Sequence, residues 1–288
     1  MTRAAITPVF RSVIAFAGRE HYSKFMELTD DAKVGRRSAS FSPADDTGRA
    51  TLLAPARRFD PDEPEWIDRT GTDPSALREE LLVMARANAR CGTHQLIIGY
   101  LEKLLSRTAG QSVSVLDLGT GAADIPRAMA AWFRQRRQGA SITAVDRNAE
   151  ALRMAVELCR DWPEICVEQH DLLALPFEPG SFDVVHCSQA LHHFGTEDAV
   201  KVLRRAWEIC RVGCIITDLR RNWASLGLVQ FAANTFVRNP IIRHDAVQSC
   251  RAAFTVEELR ALAARAGMKN FTVNRHHGPF RMVLSATK

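Results

Sequence analysis

Carboxylates recur where a cofactor would meet them. The run Val115-Leu116-Asp117-Leu118-Gly119-Thr120-Gly121-Ala122-Ala123-Asp124 reads as a buried strand ending in an acid, then a tight glycine loop that opens a helix. In an open α/β sheet, ligands bind beyond the carboxyl ends of the strands, and glycine lets backbone approach them closely. A dinucleotide fingerprint needs a third glycine in this loop. Asp124 stands there instead, and Asp117 precedes the loop. Two carboxylates beside a pyrophosphate would repel it. They suit a cofactor that carries positive charge and no phosphate, such as S-adenosylmethionine (SAM) with its ammonium and sulfonium.

Three further strand ends carry matching groups. Asp146, followed by Arg147, ends a second strand, where an acid can accept both ribose hydroxyl protons. Asp171-Leu172 follows a third strand and offers a carboxylate for an adenine amino group beside an apolar side chain for the ring. Ser188 ends a fourth strand, next to the expected sulfonium. Each acid alone reads equally as a loop residue; the ordered set does not. The expected cofactor contacts are therefore Asp117, Gly119, Thr120, Gly121, Asp124, Asp146, Arg147, Asp171, Leu172 and Ser188.

A sulfonium is already a good leaving group, so the remaining work is alignment and exclusion of water. A phenolic acceptor, with a pKa of about 10, would also gain from a base. His193 and His192 follow the fourth strand, and His244 lies in Arg243-His244-Asp245 after the fifth. These are the catalytic candidates, set against a helix-entry role for the pair and an exposed polar turn after Asn239-Pro240 for His244. Arg220 and Arg221 could hold an anionic acceptor or stand solvated. Trp223–Phe236 is apolar over much of a helix and could wall an acceptor pocket or simply pack.

The elements that position these groups alternate. Strands are expected over 113–118, 141–145, 165–169, 182–187 and 213–217, with helices over 122–137, 148–160, 197–210 and 255–267. Two strands, 271–274 and 281–286, close the chain around a turn at Gly278-Pro279. The expected fold is α/β: a Rossmann-like, doubly wound, mostly parallel seven-stranded sheet with a C-terminal antiparallel hairpin. Asp73-Pro74 and Gly92-Thr93 open two helices that form an N-terminal helical cap. The domains are then 1–58, a basic, partly disordered tail and linker in which 10–28 could be helical; 59–112, the cap; and 113–288, the catalytic domain.

On these residues, 113–218 resemble the class I SAM-dependent methyltransferases and most closely the type 11 subfamily, which includes ubiquinone and menaquinone methyltransferases. The resemblance rests on the Asp117–Asp124 loop, Asp146, Asp171-Leu172, Leu175-Pro176-Phe177, Ser181-Phe182-Asp183-Val184-Val185 and Gln189-Ala190-Leu191-His192-His193-Phe194. Ala123 stands where the family usually has glycine. Glu65-Trp66-Ile67-Asp68, Asp218-Leu219-Arg220-Arg221 and Arg243-His244-Asp245 resemble small-molecule methyltransferases associated with type III polyketide synthases. The resemblance implies methyl transfer from SAM to a small aromatic, phenolic or lipid-like acceptor. An RNA or protein methyltransferase, or a SAM-binding non-catalytic partner subunit, is the alternative.

Charge bears on that choice. Residues 1–58 hold ten basic and six acidic residues, so four of the five net positive charges lie there and the rest is nearly neutral. A nucleic-acid enzyme shows a basic footprint on its folded face; nucleic acid is not the expected partner. The seven cysteines are odd in number with no CxxC pair, which points to reduced thiols in the cytoplasm. Cys210 and Cys214 lack a second metal-ligand pair, and no metal is expected. No apolar run reaches membrane-spanning length. Arg3, Arg11 and Arg19, with no acid before Glu20, would also suit a targeting segment. A homodimer is compatible with the pattern.

Overall fold

The computed structural model describes residues 54–69, 73–107, 111–276 and 280–288. The basic segment up to residue 53, with its expected helix over 10–28, lies outside the described residues, as do His277 and the Gly278-Pro279 turn.

The strands are β1 (Val113–Leu118), β2 (Ala140–Asp146), β3 (Ile165–Gln169), β4 (Phe182–Ser188), β5 (Cys210–Leu219), β6 (Phe271–His276) and β7 (Arg281–Thr287). They form a single sheet in the order β3-β2-β1-β4-β5-β7-β6. β7 runs antiparallel to both neighbours and the other pairings are parallel. The order reverses between β1 and β4, so a crevice opens beyond their carboxyl ends.

Alternation along the strands supplies two cores. Val113 and Val115 of β1, with Val184, Ile215 and Val283, face the helices α2 (Thr93–Leu104) and α3 (Asp124–Gln135). Leu116 and Leu118, with Val185, Ile216 and Leu284, face α5 (Thr196–Ile209) and α8 (Val256–Arg265). Helix α4 (Ala149–Leu158) joins the first face.

A cap covers the crevice. Helix α1 (Pro74–Arg90) starts where Asp73 accepts from the Ser75 N–H, with proline in the first turn. Its Leu77 and Leu81 pack on Ala122, Ala151 and Met154. After β5, α6 (Trp223–Phe236) and α7 (Pro240–Ala252) pack on each other and complete the roof. The expected open turn at Asn239-Pro240 is the start of α7: the Asn239 side chain accepts from the Ile241 N–H and proline follows it. The same dipeptide serves turns and helix starts, and packing on α6 selects the helix.

Residues 54–58, expected as the end of a linker, are bound to the turn after β4 and to the end of α7. Arg57 donates to the carbonyls of Ala252 (2.6 Å) and Phe194 (2.7 Å) and lies 3.8 Å from the Phe254 ring centroid. Burial depresses its guanidinium to about 10. The Arg58 N–H donates to the Arg251 carbonyl at 3.1 Å.

Candidate functional site

A cavity of about 340 Å³ runs from the glycine loop, under α1, to the inner faces of α6 and α7. That is within the range of small-ligand clefts.

At one end lie Asp117, Gly119, Thr120, Gly121, Asp124, Asp146, Arg147, Leu172 and Ser188. Gly119 holds φ +69, and a Cβ there would come within 2.8 Å of the Ala190 Cβ, so only glycine keeps this wall open. Asp146 accepts from the Gly121 N–H at 2.9 Å and the Asn148 N–H at 3.0 Å. Burial raises its pKa, and each oxygen keeps a lone pair for another donor. Asp117 is buried with the His186 Nδ1 at 2.5 Å, held from the neighbouring strand. The hydroxyls of Thr120 and Ser188 are buried without a hydrogen-bond partner among the described residues. Asp171 differs from the expectation: its exposed side chain accepts from the Leu173 N–H at 2.9 Å and does not line the cavity, whereas Leu172 does. Asp124 is engaged by His94 Nε2 (2.7 Å) and Asn88 Nδ2 (3.1 Å).

Asn88 ties this end to β7. Its Oδ1 accepts from Arg281 at 3.1 Å and from Gln189 at 3.2 Å. Arg281 lines the cavity, and its Nη1 has no hydrogen-bond partner among the described residues. Burial lowers the guanidinium pKa. Gln189 holds a positive φ of 54, a strained conformation for a non-glycine residue at a ligand site.

At the other end, histidines meet carboxylates. His192 and His193 occupy a short 3-10 turn, Leu191–His193, after β4. Their ring centroids are 4.3 Å apart. His192 Nδ1 lies 2.6 Å from Asp218 Oδ1, and His193 Nδ1 lies 2.8 Å from Asp68 Oδ2. The His192 and His193 Nε2 atoms face opposite oxygens of Glu65, at 3.7 and 3.9 Å. Burial alone would depress His193, but Glu65 and Asp68 outweigh it and hold the imidazole up at about 9. Asp68, although buried, is drawn down to about 2 by His193 and Arg147. Glu80, 6% exposed, is pushed up to about 8 by burial and by Asp245, Glu65 and Asp68. Apolar side chains of Leu228, Val229, Ala232, Ala233 and Ile242 wall the remainder. Helix α6 therefore gives one face to the cavity, while Trp223 and Phe231 are exposed on it.

Other sequence candidates fall elsewhere. His244 does not line the cavity; its ring stacks on Trp66 at 4.3 Å and its Nδ1 lies 2.8 Å from Asp245. Asp245 in turn accepts from the Trp66 and Ile67 N–H groups, each at 2.9 Å. This pair fastens Trp66–Asp68, a 3-10 turn, and so positions Glu65. Arg221 forms a bidentate pair with Glu258 (2.6 and 3.0 Å) and donates to the Ala253 and Pro55 carbonyls, so it anchors α8 rather than an acceptor. Arg220 does not line the cavity. His276 meets the Tyr100 hydroxyl at 2.7 Å. Cys210 and Cys214 are buried with their sulfurs 3.3 Å apart.

Sequence reasoning missed Glu80, Asn88, Asp218 as a histidine partner, and Arg281. Two of them carried a signal: Asp218, an acid after the fifth apolar strand, and Arg281, a lone cation at the head of the apolar strand Arg281-Met282-Val283-Leu284.

Residues 115–213 match the family model described as a methyltransferase domain. The chain is 30% identical over 165 residues to a ubiquinone biosynthesis O-methyltransferase of Ralstonia nicotianae, covering 54% of this chain and 62% of that protein. The chain spans about half the length of the curated relatives it matches. Its fold is shared with a solved putative S-adenosyl-L-methionine-dependent methyltransferase of Methanococcus maripaludis, with TM-score 0.52 and 16% identity over 77% of this chain and 96% of that one. It is also shared with magnesium protoporphyrin IX methyltransferase of Synechocystis PCC 6803 with bound SAH, with TM-score 0.51 and 16% identity over 70% of this chain and 86% of that one.

Proposed function

We propose that this chain, which carries a class I SAM-dependent methyltransferase domain, transfers the SAM methyl group to a small hydroxyl-bearing acceptor, aromatic or lipid-like. The observation that carries the reading is the continuity of the cavity: it joins the acid-lined glycine loop to a chamber with apolar walls from α6 and a cluster of histidines and carboxylates.

The residues present fit the cofactor. Gly119 leaves space that a Cβ would fill. Thr120 and Ser188 offer buried hydroxyls with no partner among the described residues. Asp146 suits the ribose hydroxyls and Leu172 the adenine ring. Arg281, with a free Nη1 beside Asn88, suits the carboxylate of the amino-acid moiety. Asp117 and Asp124 supply negative charge towards its cationic groups. When bound, the cofactor supplies the activated methyl group.

The protein's part is alignment and proton removal. Leu228, Val229 and Ile242 keep water from the chamber. His192, oriented by Asp218, would take the proton of an acceptor hydroxyl, while His193, which Glu65 and Asp68 hold protonated, would steady the oxyanion that forms. His244 acts through Asp245 as a support for this wall, not at the acceptor. Enclosure under α1, α6 and α7 favours a small molecule over RNA or protein.

Isothermal titration with S-adenosylhomocysteine, NADH as control and Asp146→Ala alongside, tests the reading. Binding of the former alone, weakened about 10-fold or more in the variant, is expected. A well-folded chain that binds neither ligand would overturn it. Methyl transfer to a phenolic panel then identifies the acceptor.

A further inference from the structure

We infer that Glu65, His192 and His193 form a binding site for a divalent first-row transition-metal cation, open towards the acceptor chamber. An ionised carboxylate can only accept a hydrogen bond. Asp218 and Asp68 therefore fix a hydrogen on each Nδ1, and a metal would take the lone pair of each Nε2, displacing the proton that His193 otherwise holds there. Both Nε2 atoms face Glu65. Ligating histidines are typically held in this way, with the far nitrogen bound to a carboxylate.

The spacing suits an ion. One ligand atom each from Glu65, His192 and His193 lie within 4.8 Å of one another. Ligands about 2.1 Å from a zinc-like ion sit about 3.4 Å apart in tetrahedral geometry; His192 lies 3.7 Å from one Glu65 oxygen and His193 3.9 Å from the other, so an ion between them would draw the three groups together. The scaffold is rigid where it matters. Ser249 donates to Glu65 Oε1 at 2.5 Å, Asp245 holds the Trp66 and Ile67 N–H groups, and Asp218 accepts from the His192 N–H at 3.0 Å.

A second, independent observation points the same way. Glu80 reaches the cavity from α1, 6% exposed, and its Oε2 is buried with no hydrogen-bond partner among the described residues. A buried polar oxygen without a partner costs free energy, and Glu65 adds like-charge repulsion at Glu80 that a cation held at Glu65 would offset. Two imidazoles and a carboxylate suit Zn²⁺, Mn²⁺, Fe²⁺ or Co²⁺ better than Ca²⁺ or Mg²⁺. Three protein ligands leave positions for an exogenous oxygen.

The ion's role, unlike the site itself, rests on the methyltransferase reading. The acceptor oxygen would enter an open position, and the metal would acidify its hydroxyl. The proton leaves to a carboxylate of the cluster. The oxygen then forms its bond to the methyl carbon as the carbon–sulfur bond breaks and sulfur keeps the electron pair. A phenol or catechol fits this sequence.

Cobalt titration of the chelator-treated full chain, followed by visible absorption, tests the site. One Co²⁺ per chain is expected, displaced by Zn²⁺ and at least 10-fold weaker in Glu65→Gln and His193→Gln. S-adenosylhomocysteine binding serves as the check on folding, and His193→Gln, at the more exposed position, carries the test if Glu65→Gln fails to fold. A wild-type chain that binds S-adenosylhomocysteine but not Co²⁺, Zn²⁺ or Mn²⁺ overturns the inference, as does undiminished metal binding by both variants. Metal binding without S-adenosylhomocysteine binding upholds the site and counts against the methyltransferase reading instead.

Discussion

Arg281 shows how much one side chain can carry. It is a buried cation whose Nη2 serves Asn88 and whose Nη1 awaits an acceptor in the cavity. Replacing it with glutamine should weaken S-adenosylhomocysteine by about 10-fold or more, since hydrogen bonds to charged groups contribute about 1.5–3 kcal/mol. Methylthioadenosine lacks the amino-acid moiety, so its affinity should be unchanged. An equal loss for both ligands in calorimetry would place Arg281 elsewhere. Glu80 gives a pH signature. Its folded pKa of about 8 exceeds the ordinary 4.5, so the folded state holds a proton that the unfolded state releases. Its contribution to stability is therefore most favourable below about 4.5 and is lost as pH rises towards 8. In metal-free protein, Glu80→Gln should match wild type at pH 4.5 and exceed it at pH 9 by about 1 kcal/mol or more, measured by urea denaturation. A constant difference across that range would count against a proton held at Glu80. Both residues escaped the sequence because a charge on an amphipathic helix, or at a strand's head, normally faces water. Asp117 and Asp146 were legible because the end of a buried strand already places them.

Among the elements, the Trp66–Asp68 turn decides where Glu65 stands. Two of its N–H groups end on Asp245, one turn into α7. Asp245→Ala should leave both donors without their acceptor and cost about 1–3 kcal/mol. It should also weaken acceptor binding while S-adenosylhomocysteine affinity holds. Denaturation and calorimetry on one preparation would check both, and unchanged stability would show that water replaces the carboxylate. The βα alternation and the closing hairpin were readable from periodicity because each strand faces one core on alternate residues. Helix α7 was not readable, because its buried residues, Ile242, Asp245, Ser249 and Cys250, mix polar with apolar. Its inward face is the wall of a polar site, and a pattern of core residues cannot announce that.

Across the whole molecule, the cavity is assembled from distant stretches of chain. Arg57, Glu65 and Asn88 bond to Ala252, Ser249 and Arg281, across 195, 184 and 193 positions. Loop-closure entropy must be met before such contacts form, and contacts of this span slow folding. The central strands can pair while these ties are still open, so the pocket should be among the last parts of the protein to assemble. The reverse also holds: the stretch from Ala54 to Asp68 should open as one unit without melting the sheet. Its amides should exchange hydrogen faster than those of β1 and β4, and bound S-adenosylhomocysteine should slow Gly121 more than Trp66. A ligand or metal that engages Glu65 would slow both. The same hydrogen bonds that shape the chamber would then act as its latch, with release of methylated product timed by how often residues 54–68 let go.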